Sequence, residues 1–381
     1  MGGGGSILER NITRRRFLAG SAITLGAAAA SLGLSECDPA LLRRVEQAKH
    51  PNPPAHSVWH WQFSSDGDLA SLAQRLGGSG IAVLIKTHDG TDWMSKYDTH
   101  PDAISSAQRF ANVAAYLEER GVPVHAWCVP KGVDPDREAQ MAADVLAAGA
   151  RSLVLDVEGG SGFWVGTNAD AARYGATLRQ IDPFARVDIS IDPRPWRIYL
   201  APMDEFVAIC DGIWPQLYWD SFNSQDNVDH YNAAGYPVPS TGITPEFLVD
   251  VTVQILARYE RWTMPVGQGA SADPSLWARF AHRCWEHGLV ETSAWRLGVT
   301  RAEILQYLRD NPPGREPKAP PPTPTPSTSR SATPTKTKSP TKTPTKTPTK
   351  TPTKTPTGTP TPTPSATAAV PTAAPPPPPP P

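Results

Sequence analysis

The chain has 381 residues, 39% hydrophobic and 19% charged, with a formal net charge of -1. That near-neutral total hides an uneven distribution, because residues 51–314 carry 20 Lys or Arg against 32 Asp or Glu while both ends are basic. An acidic body repels a phosphate backbone, which excludes nucleic acid as a partner, and the absence of a phosphate-cradling loop or a G-x-S-x-G turn argues against nucleotide and serine-hydrolase chemistry.

Residues 1–37 read as an export signal. Arg14, Arg15 and Arg16 precede Phe17, Leu18 and an uncharged Ala- and Gly-rich run, the order of a basic n-region and apolar h-region, and the pattern resembles a bacterial twin-arginine signal. The apolar run is short and poor in large side chains, so it would span a bilayer badly. Leu34-Ser35-Glu36-Cys37 resembles a lipoprotein cleavage box, with Glu36 where that box has a small residue, which makes Cys37 a candidate lipidation site and membrane tether. Passage through the twin-arginine translocase and an extracytoplasmic mature protein are expected. Residues 38–56, with the stretch HPNPPAH, form a linker.

From residue 57 to 312, short apolar runs alternate with longer amphipathic ones. The strand candidates are SVWHWQF (57–63), IAVLIKT (81–87), PVHAWCV (123–129), SLVLDVE (152–158), RVDISID (186–192), GIWPQLYW (212–219), PVGQGA (265–270) and LVETSAW (289–295). Helical patterns lie between them, from DLASLAQRLG at 68–77 to RAEILQYLRD at 301–310, several closed by a glycine one step before the next strand. Eight such repeats predict an α/β fold, a (β/α)8 TIM barrel. A doubly wound open sheet is the alternative, but no G-x-G-x-x-G follows the first strand. Residues 313–381 are almost all Pro, Thr, Ser, Ala and Lys, with a TPTK repeat, and a segment with so little to bury is expected to be a disordered tail. A monomer is expected. The four cysteines, 37, 128, 210 and 284, show no paired ligand spacing, and Cys128 and Cys210 read as buried free thiols, with a single bridge left open.

In a TIM barrel the active site lies at the carboxyl ends of the strands. LVLDVEGG at 153–160 ends there in two carboxylates, and period-2 alternation turns Leu153, Leu155 and Val157 to the helices and Asp156 and Glu158 to the mouth. The next strand repeats the pattern with Asp188, Ser190 and Asp192. Inward or strand-end positions add His60, Gln62, Lys86, His88, Asp89, Trp127, Gln216, Tyr218, Asp220, Gln268 and Trp295 as candidate substrate contacts. Carboxylates among rings and amides suit a sugar, whose apolar faces stack on aromatics and whose hydroxyls bond amides. Trp59, Trp164, Trp262, Trp277 and Trp285 read instead as packing. Asp156 and Glu158 could alternatively be ion-paired with Lys86 or Arg194, and Asp192 and Asp220 could serve as loop caps. Lys86 reads as a charge partner that keeps one acid ionised. His60, His88 and His125 lack a metal-site spacing, so neither a metal nor another cofactor is expected.

Three stretches carry a resemblance. IAVLIKTHDGTDW at 81–93 resembles the second-strand segment of glycoside hydrolase family 25, the lysozyme-like muramidases, and LVLDVE resembles that family's fourth strand, whose D-x-E supplies two carboxylates. GIWPQLYW resembles the sixth-strand segment of that family and of family 18 chitinases. The resemblance implies that Glu158 is the general acid, that Asp156 stabilises the cationic transition state or orients an N-acetyl group, and that Tyr218 bonds at the same centre. The implied substrate is a cell-wall or other polysaccharide containing N-acetylhexosamine. Family 25 has an Asp in its first strand where SVWHWQF has none, and the family 18 pattern has an Asp where this chain has Val154. Two close carboxylates cannot both ionise easily, so one should stay protonated near neutrality. The reading from another class is a non-catalytic barrel that binds glycan at the cell surface.

Overall fold

The computed structural model describes residues 55–160 and 162–318. The export signal, Cys37, nearly all of the linker and the repeat tail lie outside the described residues. Within them, each apolar run identified in the sequence forms a strand: β1 (Ser57–His60), β2 (Ala82–Asp89), β3 (Val124–Val129), β4 (Leu153–Asp156), β5 (Val187–Ile191), β6 (Gly212–Leu217), β7 (Val266–Gln268) and β8 (Ser293–Trp295). Neighbours pair in parallel in sequence order, and β1 pairs with both β2 and β8, so the sheet closes. The fold is a closed eight-stranded parallel barrel rather than an open sheet. Two-residue strands add to its edge, Asp92–Trp93 antiparallel to β2 and Trp262–Thr263 beside β6.

The helices that follow the strands are α1 (Leu69–Leu76), α2 (Ala107–Glu118), α3 (Pro135–Ala147), α4 (Asn168–Ile181), α5 (Met203–Ile209), α6 (Pro245–Leu256), α7 (Ser275–Glu286) and α8 (Ala302–Asp310). Their starts are written in the sequence. Asp68, Ser106, Asp134, Thr167 and Thr244 each accept a backbone N–H of the first turn, and Pro135 and Pro245 occupy first helical positions, where no N–H is needed. Among the described residues, no helix is long and apolar enough to cross a membrane. Cys128, Cys210 and Cys284 are buried free thiols.

Strand register decides what the barrel encloses. Trp59 is level with Leu84, Lys86 with Trp127, Asp156 with Ser190 and Ser190 with Trp214. These residues therefore share the inner face. Trp59, Trp127, Trp214 and Trp295 meet there edge to face, with ring centroids 5.1 Å apart for Trp59–Trp127 and 5.6 Å for both Trp59–Trp295 and Trp127–Trp295. Four indoles thus fill the centre, with Asp156 and Gln216 above them toward the carboxyl ends and Asp188 and His125 below them toward the amino ends.

Candidate active site

β4 delivers Asp156 as its last residue and keeps its extended course for one residue more, because Val157 N–H donates to Ser190 O of β5 at 2.8 Å. Glu158 consequently falls on the same side as Asp156. Beyond it the chain doubles back, with Trp164 N–H donating to Glu158 O at 2.9 Å. The turn needs Gly159, since a Cβ there would stand 2.3 Å from Leu200 O in the β5–α5 connection.

The two acids converge on one amide. Gln216 Nε2 donates to Asp156 Oδ1 and Glu158 Oε1, 3.0 Å each, and lies 3.2 Å from Ser190 Oγ. The carboxylate oxygens are therefore no more than twice 3.0 Å apart. Burial pushes Asp156 well above the usual carboxylate range, and the neighbouring Glu158 adds to the rise. Glu158 is raised to about 7, first by burial and then by Asp192, against the opposing pull of the Gln216 hydrogen bond, Arg197 and Arg194. Tyr218 is buried close by, its phenol pushed up by burial and by Asp156 and Glu158, and its ring lies 5.7 Å from that of Phe222.

Neither arginine nor lysine neutralises this pair directly. Arg194 is bound to Asp192, through Nε at 2.9 and 3.0 Å and Nη2 at 2.6 Å, and Arg197 Nε approaches the same carboxylate at 3.4 Å. Lys86 pairs with Asp89 at 2.7 Å and lies 4.7 Å from the centre of the Trp127 ring. It acts on Asp156 as a neighbouring positive charge rather than as a contact. A narrow cleft of about 10 Å³ opens beside Glu158, lined by Val157, Glu158, Gly159, Ile191, Asp192, Arg197 and Ile198.

Several sequence-selected residues lie elsewhere. His60 alternates with Trp59 and so faces outward, its Nε2–H donating to Gly67 O at 3.1 Å and its ring against Phe63. His88 is also outside the barrel. A bulge at Thr87 breaks the alternation of β2, putting His88 level with outward Cys128, while Lys86 and Asp89 both face inward. Burial lowers both imidazoles, His60 to about 4 and His88 to about 3. Gln62 sits in the β1–α1 connection and donates to Tyr97 O at 2.9 Å.

Trp127 is in the central cluster at 1% exposure, its Nε1 donating to His60 O, whereas Trp295 is half-buried. Gln268 and Asp220 tie loops together. Gln268 Oε1 accepts Asp220 N–H at 3.0 Å, and Asp220 Oδ2 accepts Ser271 Oγ at 3.0 Å and Ala272 N–H at 2.9 Å. The site thus gathers Asp156, Glu158, Gln216, Tyr218, Asp192 and Lys86 from the sequence selection, together with Ser190, an inward position of the strand pattern, and Arg194, a candidate ion partner there, and adds Arg197. Arg197 lies in an aperiodic loop after β5, where no spacing rule would single it out.

No family model matches the chain, and no curated protein matches it in sequence. Similar solved structures include the catalytic domain of the major endoglucanase from Xanthomonas campestris, at 12% identity over 68% of this chain and 94% of that one, with a TM-score of 0.46. Others are a tamarind chitinase-like lectin, at 11% identity over 67% and 99% with a TM-score of 0.42, and a glycosyl hydrolase 25 virulence factor of Streptococcus pneumoniae, at 17% over 49% and 77% with a TM-score of 0.31. Similarity at this level concerns the barrel architecture and adds no chemistry.

Proposed function

We propose that the barrel is a glycosidase in which Glu158 is the general acid. The observation that carries this reading is a pair of carboxyl groups held by one amide at the carboxyl ends of β4 and β6, with Glu158 raised to about 7 beside a cleft. A carboxyl with that value is substantially protonated near neutrality, as protonation of a glycosidic oxygen requires. Gln216 fixes both carboxyl groups. Asp156, which burial and the neighbouring Glu158 keep protonated, orients the N-acetyl group of the sugar, and Tyr218 donates at the same centre. The D-x-E of LVLDVE and the sequence of β6 support an N-acetylhexosamine-containing or other cell-wall polysaccharide as substrate. The twin-arginine pattern at Arg14 and Arg15 supports action outside the cytoplasm.

The test is a screen of the purified chain against soluble and insoluble glycans, scoring released reducing ends and retention on each polymer. Cleavage of at least one polymer is expected. The second reading, a barrel that binds glycan without cutting it, is favoured by the narrow space beside Glu158, about 10 Å³ against the roughly 300–1,000 Å³ common for ligand sites. Retention without cleavage on every polymer would establish it instead.

A further inference from the structure

The β5–α5 connection carries two arginines with different commitments. Arg194 is fully engaged: besides its contacts to Asp192, its Nη1 donates to Asn227 Oδ1 at 3.1 Å, and its guanidinium lies 4.3 Å from the centre of the Phe222 ring. Asp192 is 7% exposed and already neutralised by that fork. Arg197 is three residues further on, its side chain 38% exposed, and its ion pair among the described residues is the looser 3.4 Å approach to Asp192. It lines the same cleft as Glu158. One guanidinium beyond what Asp192 requires therefore borders the space where a substrate would lie.

A guanidinium presents several N–H donors in a plane that matches the two oxygens of a carboxylate. We infer that Arg197 reads a carboxylate on the substrate, so that the glycan taken by this barrel carries a free carboxyl group on a sugar next to the bond that is cut. The inference rests on the glycosidase reading of the same site and specifies its substrate class. Without such a cation, an anionic sugar entering the cleft would lose hydration with no charge-assisted partner in exchange. With it, the anion exchanges water for a charge-assisted pair, and a neutral sugar at that position gains nothing comparable.

The experiment compares carboxylated polymers with the same polymers after their carboxyl groups are reduced to alcohols. One arm uses hyaluronan, whose carboxylate is a hexuronate. A second uses peptide-free strands of alternating N-acetylglucosamine and N-acetylmuramic acid, whose carboxylate is a lactyl ether. A third uses neutral chitin oligosaccharides. The wild-type chain is expected to cleave the native form of one anionic polymer about tenfold faster than its reduced form. Arg197→Gln should erase that preference and Arg197→Lys should keep part of it. Equal rates on native and reduced polymers overturn the inference, as does a preference that survives Arg197→Gln. If Arg197 only tunes Glu158, Arg197→Gln will shift the pH profile alike on every arm with no change in preference, which also overturns it. Cleavage confined to chitin oligosaccharides sinks this inference and leaves the glycosidase reading standing. No cleavage of either anionic polymer overturns this inference, whereas the glycosidase reading falls only if no polymer of the wider glycan screen is cleaved.

Discussion

The proposed chemistry turns on Glu158 and Gln216. Because Glu158 must donate a proton, its rise to about 7 sets a direction: activity should hold below neutrality and fall as pH rises through about 7. A rate profile from pH 4 to 9 on any cleaved glycan checks this, and an alkaline optimum would be inconsistent with it. Gln216 stabilises the charged form of Glu158, so Gln216→Leu should move the falling limb to higher pH and lower the rate about 10- to 100-fold through lost positioning. The site was legible here wherever strict alternation applies. Asp156, Ser190 and Gln216 follow period 2 and face inward as the sequence requires. His88 does not, because one extra residue at Thr87 inverts the side of everything after it, and no composition signal marks that bulge. His60 fails for a different reason: Trp59 and His60 are both plausible inward residues, and only the packing of four indoles selects Trp59.

At the scale of elements, all eight strands and their following helices could be read from the sequence, because each strand is a short apolar run and six of the eight helices have a side-chain cap or a glycine stop. Helix Gln225–Ala233 could not, since only Asn227 and Tyr231 of its residues are buried and the apolar stripe that signals a helix is missing. The loops carry similarly unreadable devices. Glu138, on α3 and 1% exposed, accepts four successive backbone N–H groups of the β3–α3 loop, from Lys131 and Gly132 on Oε2 and from Val133 and Asp134 on Oε1, at 2.7 to 3.2 Å. Glu138→Gln would turn an N–H toward some of those donors and should cost about 2–4 kcal/mol in urea unfolding, with the midpoint lowered. Trp127→Ala empties the centre of the barrel and should cost about 3–5 kcal/mol in the same assay. A loss under 1 kcal/mol from either would mean that the contact contributes little.

For the whole molecule, burial of acids ties stability to pH. Asp188, facing inward on β5 with 1% exposure, is raised to about 7 by burial, with Arg186 pulling the other way. A carboxyl that holds its proton more tightly folded than unfolded adds no cost below about pH 4. It erodes stability as pH climbs toward its folded value near 7. Glu158 acts in the same sense from its own unfolded range up to about 7. Asp188→Asn should therefore match wild type in melting temperature at pH 4 and exceed it at pH 8, by a margin reflecting about 1–3 kcal/mol. Equal curves at both values would show that Asp188 titrates normally.

The central claim is that Glu158 supplies a proton to a glycosidic bond, and its most direct test is reducing-end release by wild type and Glu158→Gln on the same glycan at pH 6. With folding verified by circular dichroism, the variant should lose at least about 100-fold in rate while still being retained on the polymer. Turnover by Glu158→Gln at the wild-type rate would contradict the account.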